Sequence, residues 1–261
     1  MATAAVTHRS RRDIPRVNEI SLESPWEWIT KGWEDLKRAP KFSLTYGAFF
    51  ALVSVLLTTG LLAEGLFFIV PPLVAGFFLV APMLGIGLYQ ISENLEEGQQ
   101  VEYCQALKAW KRNEYQLGAM AVVLVMVMLV WMLAALIVFA LFFDNPVPTW
   151  ENFIPQVFLS GENNGFVAAG ILTGAAIAAF TYCISAITVP MLMDRQVDVM
   201  TAMRTSVAAV KKNWQPMTLW AALIVMFVGI GILTYYIGLI VAMPLVGHAT
   251  WHAYRDLVPS D

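Results

Sequence analysis

The residues best suited to chemistry are His248 and His252, four positions apart near the end of a 261-residue chain that holds three histidines in all. Residues four apart share one face of a helix, so the pair could fill two positions of a zinc or iron site. Asp194 completes the candidate set. It stands four residues after Pro190, where His248 stands after Pro244 and Ile86 after Pro82. If these segments met, two imidazoles and one carboxylate would supply the donors of a metal-dependent membrane enzyme. The surroundings favour a plainer role, because Trp251, Tyr254 and Arg255 beside the pair suit a membrane interface. Three histidines are too few for the haems and copper of an oxidase subunit, and neither a glycine-rich phosphate loop nor a Ser-His-Asp arrangement occurs. No catalytic residue and no cofactor is therefore assigned.

The elements that must carry these residues are long and apolar. The chain is 58% hydrophobic and 13% charged, against about 45–50% and about 25% in soluble proteins. The runs 42–62, 66–89, 117–143, 165–193 and 217–250 contain no Asp, Glu, Lys or Arg. Crossing a bilayer takes about 20 apolar residues in a helix, and only helices or closed barrels satisfy their backbone groups in lipid. Continuous rather than alternating apolarity selects helices. The last run is too long for one span, and a break near Tyr235–Gly238, with the final helix continuing through Arg255, makes it two. The expected fold is an all-α transmembrane bundle of six spans.

Basic doublets set the order and orientation. Lys37-Arg38, Lys111-Arg112 and Lys211-Lys212 each precede a long apolar run, and each has apolar residues one and four positions before it. Pairs of spans end in related phrases: Ala81-Pro82-Met83-Leu84, Val189-Pro190-Met191-Leu192 and Met243-Pro244-Leu245. These matches predict three two-span repeats, 21–95, 96–196 and 197–258, each opened by an amphipathic cytoplasmic helix. Together they form one transmembrane domain, 21–261, behind a flexible cytoplasmic tail, 1–20, which has four arginines but no apolar stretch of a signal peptide. Lys and Arg gather on the cytoplasmic side of membrane proteins, so both termini are expected there. Ser24-Pro25-Trp26-Glu27 reads as a capping box, and Trp26, Ile29, Trp33 and Leu36 as the apolar face of the first helix.

The absence of ionisable residues inside the apolar runs argues against ion-coupled transport. A passive route would need a cavity lined by Thr45, Tyr46, Thr181, Tyr182, Ser185 or Tyr235. Gly170, Gly174 and Ala178 form a small-residue stripe suited to close helix packing. The connector 144–164, with Asn145-Pro146-Val147-Pro148-Thr149-Trp150 and Phe158-Leu159, is expected to lie at the interface. Cys104 and Cys183 form no disulfide pattern.

The closing phrase from Pro244 to Arg255, with Gly247-His248-Ala249-Thr250-Trp251-His252 at its centre, resembles the C-terminal signature of a bacterial family of predicted integral membrane proteins with no assigned function. Val189-Pro190-Met191-Leu192-Met193-Asp194-Arg195-Gln196-Val197 is similar to that family's central phrase. The likeness runs from about Val17 to Val258 and implies a six-span protein of the bacterial inner membrane, without supplying catalytic residues. Mitochondrial carriers also use three two-span repeats, but their charged proline motif is missing. The expected function is a non-catalytic accessory or scaffold component of the cell envelope. A passive small-molecule or lipid transporter is the alternative, and a metal-dependent membrane enzyme using Asp194, His248 and His252 the second. The expected partners are the lipid bilayer and another membrane protein or a second copy, with no nucleic acid.

Overall fold

A computed structural model describes residues 15–142, 152, 155, 157 and 160–259. These residues form helices and no strand: α1 Ser24–Arg38, α2 Pro40–Ala63, α3 Val70–Leu84, α4 Ile86–Glu96, α5 Tyr103–Lys108, α6 Glu114–Phe142, α7 Asn164–Ser185, α8 Thr188–Asp194, α9 Val199–Lys212, α10 Trp214–Leu233 and α11 Leu239–Leu257. Short 3-10 turns at Phe67–Ile69 and Ala109–Asn113 lead into α3 and α6. Among the described residues, five stretches are long and apolar enough to cross a membrane: Pro40–Ala63, Phe67–Glu96, Tyr103–Phe142, Asn164–Asp194 and Trp214–Leu233. The expected sixth, α11, is not among them, because His248, His252, Arg255 and Asp256 make its second half polar.

Each basic doublet closes a short helical segment: Lys37 and Arg38 end α1, Lys111 and Arg112 lie in the second 3-10 turn, and Lys211 and Lys212 end α9. Cations there oppose the negative end of the helix dipole. The aligned prolines behave less uniformly. After Pro82 the helix breaks at Gly85, before Pro190 it breaks at Ala186–Ile187, and around Pro244 it runs on unbroken. The anticipated break at 234–238 is present. Tyr235 and Tyr236 adopt φ of 55° and 66° there, in the left-handed region, so α11 turns back along α10.

Two local expectations change. The N-cap of α1 is Glu23 with no side-chain bond, and Ser24 is already the first helical residue, so the capping box does not form. The buried face of α1 carries Trp28, Gly32, Asp35 and Leu36, while Trp26 and Trp33 point outward. The helix thus has two apolar faces, and the outward one suits the headgroup level of a bilayer.

At the centre of the bundle lies α11, which packs on α1, α2, α4 and α10. Two glycines let backbones meet. A Cβ on Gly32 would stand 2.8 Å from the Ala249 nitrogen, and one on Gly47 would stand 2.3 Å from the Ile240 oxygen. In lipid, where the apolar solvent gives no hydrophobic reward for association, such close van der Waals packing holds helices together. The largest core cluster gathers Trp28, Met191, Leu192, Trp220, Trp251 and Tyr254 at the end of the bundle that carries the doublets.

The described part of the expected tail, 15–20, is tied down. Asn18 N–H donates to the Leu257 carbonyl at 2.9 Å and its amide to the Asp256 carbonyl at 2.7 Å. Arg9, Arg11 and Arg12 lie outside the described residues, as do Asp144, the Asn145–Trp150 phrase, Glu151, Phe158 and Leu159.

Candidate functional site

The second half of α11 presents a row of polar side chains to its neighbours, and each is matched. His248 is fully buried, with Nε2 2.8 Å from Ser43 Oγ of α2 and Nδ1 2.8 Å from Ser92 Oγ of α4. His252 Nε2 lies 2.8 Å from Asp35 Oδ2 of α1. Trp28 donates its indole N–H to Asp256 at 3.0 Å, and Trp251 donates to Glu96 at 2.9 Å. Arg255 also reaches Glu96, at 3.1 Å. Buried polar groups cost several kcal/mol when unpaired, so these pairings fix the rotation of α11 within the bundle.

The three proposed metal ligands are not brought together. Both nitrogens of His248 are occupied by serines, His252 pairs with Asp35, and Asp194 accepts from Tyr254 and lies 3.4 Å from Arg195 and 3.7 Å from Arg255. Among the described residues no group of three or more His, Cys, Asp and Glu is clustered to hold a metal. Four-residue spacing does put the histidines on adjacent turns, but each meets a different helix.

Above this network lies a cavity of about 400 Å³ between α3, α7, α10 and α11. Phe77, Pro82, Ala178, Ala221, Val228 and Val246 are among its apolar walls. Of the anticipated lining residues, Thr181, Tyr182 and Ser185 are present. Their hydroxyls are spent on backbone: Thr181 donates to Ile177 O, Ser185 to Thr181 O, and Tyr182 to Met217 O, each at 2.7 Å. Thr45 is instead exposed beside Tyr103, Tyr46 donates to the Leu84 carbonyl at 2.7 Å, and Tyr235 is exposed. That tyrosine bond matters to the site. The helix break at Gly85 interrupts the backbone ladder of α3, and Tyr46 satisfies the Leu84 carbonyl there, while Tyr89 donates at 3.2 Å to the Pro82 carbonyl that Gly85 N–H also reaches. Of the small-residue stripe, Gly174 faces Trp131 of α6, a Cβ on Gly170 would meet no packed neighbour within 4 Å, and Ala178 faces the cavity.

Sequence reasoning missed two asparagines that organise the basic end. Asn113 donates to the carbonyls of Leu192 and Val197 at 3.2 Å. Asn213, which is buried, accepts from Ile20 N–H at 3.0 Å and donates to Asn18 O at 2.9 Å. A signal existed: each directly follows a basic doublet, as Lys111-Arg112-Asn113 and Lys211-Lys212-Asn213. Trp28 and Phe77 carried no such signal.

Long apolar helices, a paired polar layer at one end and an apolar internal cavity define an all-helical, multi-pass integral membrane protein. Residues 69–194, just under half of the chain, match the model of a family described as predicted integral membrane protein (DUF2189), of unknown function. The match runs from the turn before α3 to the end of α8, so it takes in the central phrase up to Asp194 and stops before His248. Neither the curated proteins nor the solved structures include a match.

Proposed function

We propose that this protein is a non-catalytic accessory protein of the bacterial inner membrane that binds a membrane lipid by its acyl chain. The apolar cavity between α3, α7, α10 and α11 carries this reading. Its volume falls within the range of about 300–1,000 Å³ usual for ligand sites, and its hydroxyls are already engaged, leaving hydrocarbon contact as its main offer. Val225, at its margin, is 57% exposed, so the site borders the bilayer.

The accompanying topology has six crossings and both termini in the cytoplasm. In support, the 19 residues of α11 extend about 28 Å, near the thickness of the hydrocarbon core of ~30 Å. The doublets, Arg195, Arg204 and Arg255 then fall on one side, as cytoplasmic basic residues do. The order of a short basic-ended segment followed by two long helical stretches, found three times, supports the threefold repeat.

The test is to purify the protein in mild detergent and identify bound lipid by native mass spectrometry. Wild type is expected to retain lipid, and Ala178→Phe with Ala221→Phe, which fill the cavity, to lose it while keeping an unchanged elution volume. Equal lipid on wild type and the filled variant would overturn the reading. A stoichiometric protein partner in place of lipid would favour a scaffold.

A further inference from the structure

A second cavity, of about 270 Å³, lies between α2, α3 and the turn joining α10 to α11. Its walls include Leu57, Thr58, Leu73 and Tyr236, at the end of the bundle opposite the doublets. The first cavity reaches the other way, to Val210 of α9 and Thr250 of α11. Among the described residues, Phe77 alone lines both. It packs with the cluster of Ala51, Val228 and Leu239, of which Val228 faces the first cavity and Leu239 the second. The wall between the two spaces is therefore thin, and an aromatic side chain forms the shared part of it.

Both cavities are apolar, and the polar atoms at the far end of the second are matched, since Thr58 and Tyr236 share a hydrogen bond of 2.7 Å. Among the described residues, nothing charged lines either space. A charged or zwitterionic headgroup would lose its hydration here without compensation. Leu57, 53% exposed, places the second cavity against the bilayer as Val225 does the first. Both cavities thus adjoin exposed apolar side chains of stretches long and apolar enough to cross a membrane.

We infer that the first cavity is an acyl-chain site, that its ligand is a lipid with a small uncharged head, and that Phe77, the wall between it and the second cavity, sets how long a chain the site accepts. This rests on the lipid-binding reading above and names the ligand class and the residue that measures it. With Phe77 in place a chain fills the first cavity and stops at the ring. Removing the ring joins the spaces and lets a longer chain pass.

The test equilibrates the purified protein in detergent with an equimolar series of saturated monoacylglycerols of increasing chain length, and reads the bound distribution by native mass spectrometry. Phe77→Ala is expected to shift that distribution to longer chains, Phe77→Leu to shift it less, and Phe77→Trp to leave it at or below the wild-type length. Phe77→Leu, the milder change, carries the comparison if Phe77→Ala does not fold. An unchanged distribution in a folded Phe77→Ala or Phe77→Leu protein that still binds would overturn the role of Phe77 and leave lipid binding standing. Failure of wild type to bind any monoacylglycerol while retaining phospholipid would overturn the ligand class. If wild type binds neither, lipid binding itself fails and this inference with it.

Discussion

Gly47 of α2 lies so close to Ile240 of α11 that a Cβ on it would stand 2.3 Å from the Ile240 carbonyl oxygen, an atom that cannot rotate away. Two helices thus meet through backbone, and the contact tolerates no side chain. Gly47→Ala should push α2 from α11 and lower stability by about 1–3 kcal/mol, the usual cost of overpacking. Gly60→Ala, where an added Cβ would meet no packed neighbour within 4 Å, should have little effect. Thermal unfolding of the purified variants in detergent measures both.

His248 should prove structural. His248→Phe strands the Ser43 and Ser92 hydroxyls in a buried site, and each unsatisfied group costs about 1–3 kcal/mol. The expected outcome is reduced stability, with the metal content of the membrane-extracted protein the same in wild type and variant. Stoichiometric zinc or iron in wild type that disappears in the variant would instead restore the metal-site reading.

Asn213 ties the segment before α1 to the junction of α9 and α10. Asn213→Leu removes an acceptor from Ile20 N–H and a donor to Asn18 O. It should loosen residues 15–20 without unfolding the spans. Faster protease cleavage ahead of α1, with the remaining fragment intact, is the readout.

Asp198 caps α9, accepting from Thr201 N–H at 3.0 Å and from the Thr201 hydroxyl at 2.7 Å. The Thr201 side chain, more than any other group, holds its carboxyl below the ordinary value of 3.8. A depressed folded-state pKa stabilises the fold above the unfolded value and loses that contribution as pH falls through the folded one. Asp198→Ala should therefore cost about 0.5–2 kcal/mol near neutrality. The gap between variant and wild type should narrow below the ordinary value. Melting points across an acid pH series would show it, and a gap independent of pH would contradict the cap.

Cys104 offers a native probe of orientation. It is exposed near the start of α5, on the side that carries the doublets. In intact cells of a Cys183→Ser strain, an impermeant maleimide should leave it unlabelled until the membrane is opened. Labelling from outside would reverse the proposed topology.

Much of the fold was legible because apolar run length is a one-dimensional property. The five spans and the break at 234–238 follow from composition and from the thickness of a bilayer. The face of α1 was harder. Trp26, Trp28 and Trp33 are chemically alike, and only the approach of Gly32 to α11 determines that Trp28 is the one buried. The site behaved likewise. Thr181, Tyr182 and Ser185 could be named as cavity residues, whereas Tyr46 was drawn away to a carbonyl freed by a helix break that occurs after Pro82 but not after Pro244.

By itself the sequence determined the class of this protein, the order of its helical segments and the place of its basic residues, since each depends on what a stretch of chain does in lipid or at its surface. Tertiary structure alone decided which partners His248, His252 and Asp194 take. Spacing places the histidines on one helix, but α11 meets α2 and α4 at one turn and α1 at the next, so nearby serines and an aspartate claim the imidazoles, while Tyr254, Arg195 and Arg255 claim Asp194. It alone also put Phe77 between two cavities, because a cavity belongs to several helices at once and to no segment of the chain.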